Sequence, residues 1–454
     1  MNWRFLVVCG LAGTVFSPLA SAQLGNGGFN FNRVTDNTYY YGAEVSEETN
    51  EFFVRNRYQD VNTRWQRGFN PLSVRLGAFE ALPSLTGIVR ATDNLFLDDL
   101  NSVTDVGFGI EPSVTVQSTW SRHKIGFDGR VRHTQFVDSR DETATVGGAR
   151  AFGILDVTSN FAIGASGSFE NRREPRVSFG GALGTTERVS VDRFGGEGNL
   201  LYRRNRVRLS ARGSYTEFDY SDVEQVDGSI ADQDFRDFDE FRTAARGDFA
   251  ISRDWALVGE VEYVDRDNDD SLGLLDRSIS GVAIRAGTNF ELPFQVRGDI
   301  LVGFQTFDSD NPLLDDINEV AVRAEVFWFP SELTTVRVTA GRDVEDPGAV
   351  NASTLLVTRV NGQVTQELRR NLLAYVRGGF RDLDFSPTPL EETEFSVGVG
   401  GTWKLNDNFH LTLGYDFRDR DSTVQPFSEN SGTCLLYTSP SPRDQRGARM
   451  PSSA

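Results

Sequence analysis

The chain has 454 residues, a mean hydropathy of −0.36 and a hydrophobic fraction of 39%. A membrane-spanning helix needs about 20 consecutive apolar residues. Only the N-terminus holds a run that approaches this, so an α-helical membrane protein is excluded. The net charge of −19 argues against a nucleic-acid partner, because such binding depends on basic side chains that neutralise phosphates.

Residues 1–22 have the composition of a secretory signal peptide. Arg4 gives the basic start, residues 5–16 form a short apolar run, and Ala20-Ser21-Ala22 matches a small-residue cleavage site. Residues 23–83 fit no repeat and combine tyrosine and glycine clusters with mixed charge. We predict that they form a mostly irregular periplasmic or lumenal segment, with room for a short helix.

Residues 84–433 repeat one unit, in which two long alternating segments flank a tight turn and a longer acidic loop follows. The eight turns are predicted at residues 119–122, 158–160, 203–205, 252–254, 292–294, 330–332, 369–371 and 406–408. Propellers repeat at a similar length, but with four short strands per blade. Here each unit holds two strands long enough to cross a bilayer, which predicts an all-β, transmembrane, antiparallel up-and-down β-barrel.

Strand patterning supports this fold. In residues 409–418 every odd position is large and apolar, and every even position is polar or glycine. Successive strand side chains point to opposite faces, so one face is apolar and the other polar. A soluble sandwich also alternates, but its outer face would not gather so many arginines on strands of this length.

Four of the six tryptophans stand beside tight turns: Trp120, Trp255, Trp328 and Trp403. Amphipathic rings favour the headgroup level of a bilayer, so we predict that these four mark a membrane interface. Tryptophans packed in a core at strand ends are the alternative. Short turns face the periplasm in outer-membrane barrels, which predicts that the acidic loops face outward.

The polar face carries many arginines. Those predicted to line the lumen are Arg130, Arg132, Arg206, Arg208, Arg212, Arg242, Arg246, Arg285, Arg297, Arg323, Arg337 and Arg377. One reading is a charged, water-filled lumen that selects anionic or sugar-like solutes. The other is a structural ladder of ion pairs between neighbouring strands.

A candidate metal site lies in one acidic loop. Asp265, Asp267 and Asp269 alternate as in the first half of a calcium loop, and Asp276 follows. Asp270 occupies the position at which a calcium loop has glycine, so a solvated loop tip is the alternative. The three histidines cannot be placed with a nucleophile, and no cofactor motif is present. We therefore predict no enzyme activity and no cofactor.

The strand count gives about 17, whereas single-chain bacterial barrels have even numbers. The tail at residues 434–454, which Cys434 opens, resembles a translated sequencing adapter, and a genuine Ser/Pro-rich disordered tail is the alternative. We therefore expect a natural barrel of about 18 strands whose last strand is missing from this chain. This predicts an open or imperfectly closed edge.

Residues 68–137 carry a family resemblance. The residues that carry it are those at 71–79, 82–85, 92–96, 110–113 and 118–123, which read PLSVRLGAF, LPSL, TDNLF, IEPS and STWSRH. In combination they resemble the start of outer-membrane β-barrel porins often encoded beside exopolysaccharide synthesis genes. The resemblance implies a barrel associated with surface polysaccharide and carries no catalytic residues.

These features predict a porin-like barrel of the outer membrane of a Gram-negative cell. It would pass polar solutes or take part in the export or assembly of surface polysaccharide. The alternative is a non-transporting surface barrel whose acidic loops bind glycan or partner proteins. Expected partners are outer-membrane lipid and lipopolysaccharide, together with polysaccharide and its export machinery.

Overall fold

The computed structural model describes residues 52–53, 57–64, 66, 68–174, 185, 187–225, 227–268, 276–311, 316–347, 354–386, 388, 390–422 and 426–439. The predicted signal peptide at 1–22 and the end of the tail at 440–454 lie outside these residues. The signal peptide and the adapter origin of the tail stay predictions.

Strands make up most of the described chain, and they are here numbered in chain order. They are β1 (Val74–Leu76), β2 (Phe79–Thr92), β3 (Asp105–Ser118), β4 (Lys124–Phe136), β5 (Ala144–Thr158), β6 (Phe161–Arg173), β7 (Ser190–Arg204), β8 (Val207–Tyr220), β9 (Val223–Glu224), β10 (Ile230–Ala231), β11 (Phe238–Ala250), β12 (Trp255–Asn268), β13 (Ile279–Leu292), β14 (Val296–Ser309), β15 (Ile317–Ser331), β16 (Thr334–Glu345), β17 (Thr354–Arg369), β18 (Leu372–Ser386), β19 (Leu390–Lys404), β20 (Phe409–Ser422) and β21 (Phe427–Thr438). Two short 3-10 helices, Arg140–Glu142 and Asp234–Arg236, lie in loops.

Strands β2–β8 and β11–β21 form a closed antiparallel barrel of eighteen strands, in which each strand pairs with its neighbours in sequence. The short β1 pairs with the start of β2, and β9 with β10 forms a small hairpin in the loop between β8 and β11. The predicted fold class is confirmed. Among the described residues, no helix has the length and apolarity needed to cross a bilayer.

The eight predicted tight turns all join consecutive strands at one end of the barrel. The shortest leave two residues between strands, at 159–160, 205–206, 332–333 and 370–371. The connections at the other end are mostly longer, and the largest lies between β8 and β11. The alternation of short and long connections therefore follows the pattern expected of an outer-membrane barrel.

The expectation of an open edge is wrong, because β21 pairs with β20 along its length and with β2 over residues 431–438. Glu429 holds the strand from both sides, since its carboxylate lies 2.7 Å from Arg90 and also pairs with Arg418. An open edge would leave backbone N–H and C=O groups unpaired in lipid, which is costly whatever the side chains are. Backbone pairing thus closes the barrel across the predicted boundary at 433/434.

Strand β21 is hard to recognise from the sequence because its outer face is poor in apolar residues. The positions in register with the lipid-facing side of β20 are Ser428, Asn430, Gly432, Cys434, Leu436 and Thr438. Alternation of apolar and polar residues is therefore nearly absent there. At the other end of the chain, β2 begins at Phe79, ahead of the predicted boundary at 84, because Gly77 at φ +64° lets β1 fold back onto it.

The outer face of the barrel is apolar, and β14 offers a direct test. Val302, near the middle of this strand, points outward and is 52% exposed. Val302→Arg is expected to destabilise the barrel by about 2–4 kcal/mol, because an arginine at the bilayer midplane is poorly solvated.

Asp308→Arg, on the same face near the strand end, should cost only about 0–1 kcal/mol, because water and headgroups reach that level. Urea titration of the barrel in lipid vesicles measures both free energies of unfolding. Equal costs at the two positions would contradict the membrane-facing assignment.

Candidate functional site: the barrel interior

Alternation places one set of side chains inside the barrel. In β12 every second residue is exposed, as Leu257 and Val261 are, while the residues between them, Glu260 and Glu262, are buried. The polar side chains are thus inside and the apolar ones face lipid. Pairing register extends this assignment to the neighbouring strands, because residues directly opposite each other share a face.

Eleven of the twelve arginines predicted for the lumen lie at inward-facing strand positions: Arg130, Arg132, Arg208, Arg212, Arg242, Arg246, Arg285, Arg297, Arg323, Arg337 and Arg377. The twelfth, Arg206, lies in the tight turn between β7 and β8 and is exposed. Its guanidinium donates to the Ile251 carbonyl and lies over the Phe52 ring.

One side of the interior is a dense ion-pair network. Arg285 on β13 is 3% exposed, and its Nη1 lies 3.1 Å from Glu260 and 2.6 Å from Glu262, both on β12. Arg323 on β15 reaches the same two carboxylates at 2.6 and 3.2 Å. Arg242 on β11 adds a third cation to Glu262 at 3.0 Å. These arginines serve to hold strands together.

The network extends over strands that are not adjacent. Arg246 on β11 bonds Asp299 on β14, and Arg285 reaches Asp343 on β16 at 3.4 Å. Beyond it, Arg377 on β18 pairs with Asp416 on β20 at 2.7 Å. Along β11–β20, acidic and basic inward side chains therefore nearly balance.

The wall formed by β4–β8 is different, because its inward charge is mostly positive. Its inward basic residues are Lys124, Arg130, Arg132, Arg150, Arg172, Arg193, Arg203, Arg208 and Arg212, against the acidic residues Asp128, Asp156, Glu170 and Glu197. We call this surface the basic wall. Its net charge favours anions in the adjoining space.

Part of the basic wall is accessible from the interior. Arg130, Arg193 and Arg212 are all partly exposed, and each faces the interior. The Arg193 guanidinium lies 5.1 Å above the Phe218 ring. Inward serines and glycines stand between them, including Ser166, Ser168, Ser214, Gly148 and Gly195. Small hydroxylated positions leave space beside the cations and offer donors and acceptors to a polar solute.

The sequence profile of the family described as "Putative beta-barrel porin 2" matches residues 67–436, most of the chain. The chain belongs to this porin family. It is accordingly an outer-membrane protein, as predicted. No curated protein sequence matches it.

Solved structures of other porins resemble this one. OccK2 (OpdF) of Pseudomonas aeruginosa, solved with glucuronate, shares 12% identity at a TM-score of 0.43 and covers 79% of this chain and 98% of its own. OpdK of the same organism, solved with vanillate, shares 12% identity at a TM-score of 0.42 and covers 79% of this chain and 98% of its own. A BenF-like porin of Pseudomonas fluorescens Pf-5 shares 10% identity at a TM-score of 0.42 and covers 79% of this chain and 99% of its own.

The four tryptophans predicted to mark a membrane interface lie close to the tight-turn end of the porin barrel. Trp120, Trp255, Trp328 and Trp403 are each between 40% and 48% exposed, as lipid-facing rings would be. Trp120 packs against Phe79, and Trp255 against Phe290. Their positions fit an aromatic belt at the periplasmic interface.

The interpretation of Asp265 and Asp267 as loop residues is wrong. Strand β12 continues to Asn268, so both aspartates lie on its outward side while Arg266 between them is buried. Asp269 lies outside the described residues, and Asp276 accepts a bond from the Ser278 N–H. The described chain instead brings together the exposed Asp222, Asp232 and Asp234, which sequence spacing did not suggest.

Proposed function

We propose that this porin passes small polar solutes through its lumen and favours anionic ones. The observation that carries the proposal is the basic wall, where inward cations outnumber inward acids, whereas along β11–β20 the two nearly balance. A guanidinium presents a planar fork of donors that suits carboxylate and phosphate groups. A low-dielectric wall of one charge sign also concentrates counter-ions beside it.

The same chemistry would suit an exported acidic polysaccharide, whose carboxylates repeat along the chain. We therefore extend the proposal to surface-polysaccharide export or assembly, with the export machinery as partner. Its support is the family resemblance of residues 68–137 together with the hydroxyl groups beside the arginines. Lipid and lipopolysaccharide are the partners proposed for the outer surface.

Liposome swelling tests solute passage with a pair of solutes matched in size. Glucose and glucuronate differ mainly in one carboxylate. Vesicles that contain the purified porin should swell faster in glucuronate, because the basic wall attracts the anion. Equal rates for the two solutes would remove the anion preference, and no swelling in either would refute passage.

A second candidate, a non-transporting surface barrel that binds glycan or proteins, is favoured by the packing at the loop end. Leu355, Val357, Leu383, Phe385 and Leu390 form one buried apolar cluster there. Arg236, in the loop between β8 and β11, is 1% exposed and pairs with Glu174 at 2.8 Å. Such packing narrows the loop end, and swelling in neither solute would favour this candidate.

A further inference from the structure

The tight-turn mouth of the barrel contains a stretch of chain that precedes the strands. Residues 52–53, 57–64 and 66, here called the collar, contact one hairpin after another. The contacts are Phe52 with Arg206, Arg57 with Asp254, the Tyr58 hydroxyl with the Pro293 carbonyl, the Val61 N–H with Thr335 Oγ1, and Arg64 with Glu367. In chain order these partners advance from the β7–β8 turn to β17.

Apolar side chains anchor the collar at both ends. Phe53 is 3% exposed and packs on Ala250 and Ala256, two small residues that lie opposite each other on β11 and β12. Val61 is 1% exposed. Between them the Tyr58 ring stacks on Phe329, with ring centroids 5.7 Å apart. The barrel thus provides a recess for Phe53 that a larger residue at 250 or 256 would fill.

The partners show that the collar lies inside the wall. Arg208, Arg297, Thr335 and Glu367 all occupy inward-facing positions of their strands. The Arg208 guanidinium lies 5.1 Å over the Phe53 ring, and Arg297 donates to the Tyr58 carbonyl at 3.2 Å. Three arginines predicted to line the lumen, at 206, 208 and 297, therefore hold the collar.

We infer that the collar is a fixed constriction of the tight-turn mouth that sets the conductance of the pore. It occupies the sector from β8 to β17, whereas the basic wall extends over β4–β8 on the adjoining side. At this mouth the collar leaves open the sector formed by β18–β21 and β2–β7, which includes most of the basic wall. This inference rests on the proposed function, because a constriction has a measurable effect only in a conducting barrel.

Single-channel recording tests the collar in variants of the full chain. Deletion of residues 52–66 should raise unitary conductance at least about two-fold and lower anion preference, because the narrowest section dominates resistance and selectivity. The triple variant Phe53→Ala/Arg57→Ala/Arg64→Ala should show smaller changes of the same sign in conductance and anion preference. It replaces the deletion variant if that variant does not fold. Arg122→Ala is the control, since Arg122 lies at the same mouth and donates to the Asp156 carbonyl.

A second variant fixes the collar in place. Val61→Cys/Thr335→Cys in a Cys434→Ser background should form a disulfide and conduct as the wild type does, both oxidised and reduced. A folded deletion variant with wild-type conductance would overturn the inference. A silent wild type beside a conducting deletion variant would support the collar and overturn the proposed passage of solutes. If neither the wild type nor the deletion variant conducts, both the collar inference and the proposed passage of solutes are overturned.

Discussion

Arg193→Glu is expected to weaken or invert the anion preference of the pore. At about 5 Å, two unit charges interact by about 0.8 kcal/mol even at the dielectric constant of water, so reversing the sign changes the energy of a passing ion by about 1.7 kcal/mol. This corresponds to a change of roughly ten-fold or more in the ratio of anion to cation permeability. The reversal potential across a salt gradient reports that ratio directly.

The same strand provides the matched control. Arg204, at the end of β7, is exposed and points away from the interior. Arg204→Glu changes the net charge equally and should leave the reversal potential near its wild-type value. Equal shifts for the two variants would show that total charge, rather than the basic wall, sets selectivity.

Arg285→Met is expected to destabilise the barrel by about 1.5–3 kcal/mol, because two buried carboxylates lose the hydrogen bonds of one of the cations that they share. Glu260 and Glu262 are each 6% exposed, and Arg285 bonds both. Methionine keeps most of the side-chain volume, so the cost reports the lost charge rather than a cavity. Urea unfolding of the lipid-reconstituted barrel, followed by tryptophan fluorescence, measures it.

Arg359→Met is the control for this prediction. Arg359 pairs with Glu345 across β16 and β17, but the two side chains are 29% and 42% exposed. Pairs that water can reach contribute about 0–1 kcal/mol. A loss at Arg285 as small as that at Arg359 would contradict the view that β11–β16 form a dense ionic support.

Sequence reasoning recovered the repeating architecture because turn and strand signals are local. A tight turn such as 369–371 is recognisable from its own residues, and strands such as β12 and β20 alternate strongly. The interior positions of arginines such as Arg242 and Arg377 follow from the same period of two. The twelve chosen arginines include both network and basic-wall members, because alternation gives the face of a residue and not its partners.

Three features depend on tertiary contacts, and the sequence did not reveal them. Strand β21 has a polar outer face, so its identity comes from backbone pairing with β2 and β20. The collar has no repeating pattern. The roles of Phe53 and Val61 are visible only in the structure, where Phe53 packs on Ala250 and the Val61 N–H donates to Thr335. The sequence made Asp267 a candidate metal ligand, but this residue lies on the outward side of β12, in register with Asp239.

Planar-bilayer recording of the purified full-length chain most directly tests whether the barrel is a pore. Because the basic wall lines part of the remaining passage, we predict discrete openings and a reversal potential that shows anion preference. Heat-dependent migration on a gel would establish that the sample is folded. A folded barrel that gives no openings, or whose openings prefer cations, would contradict the account.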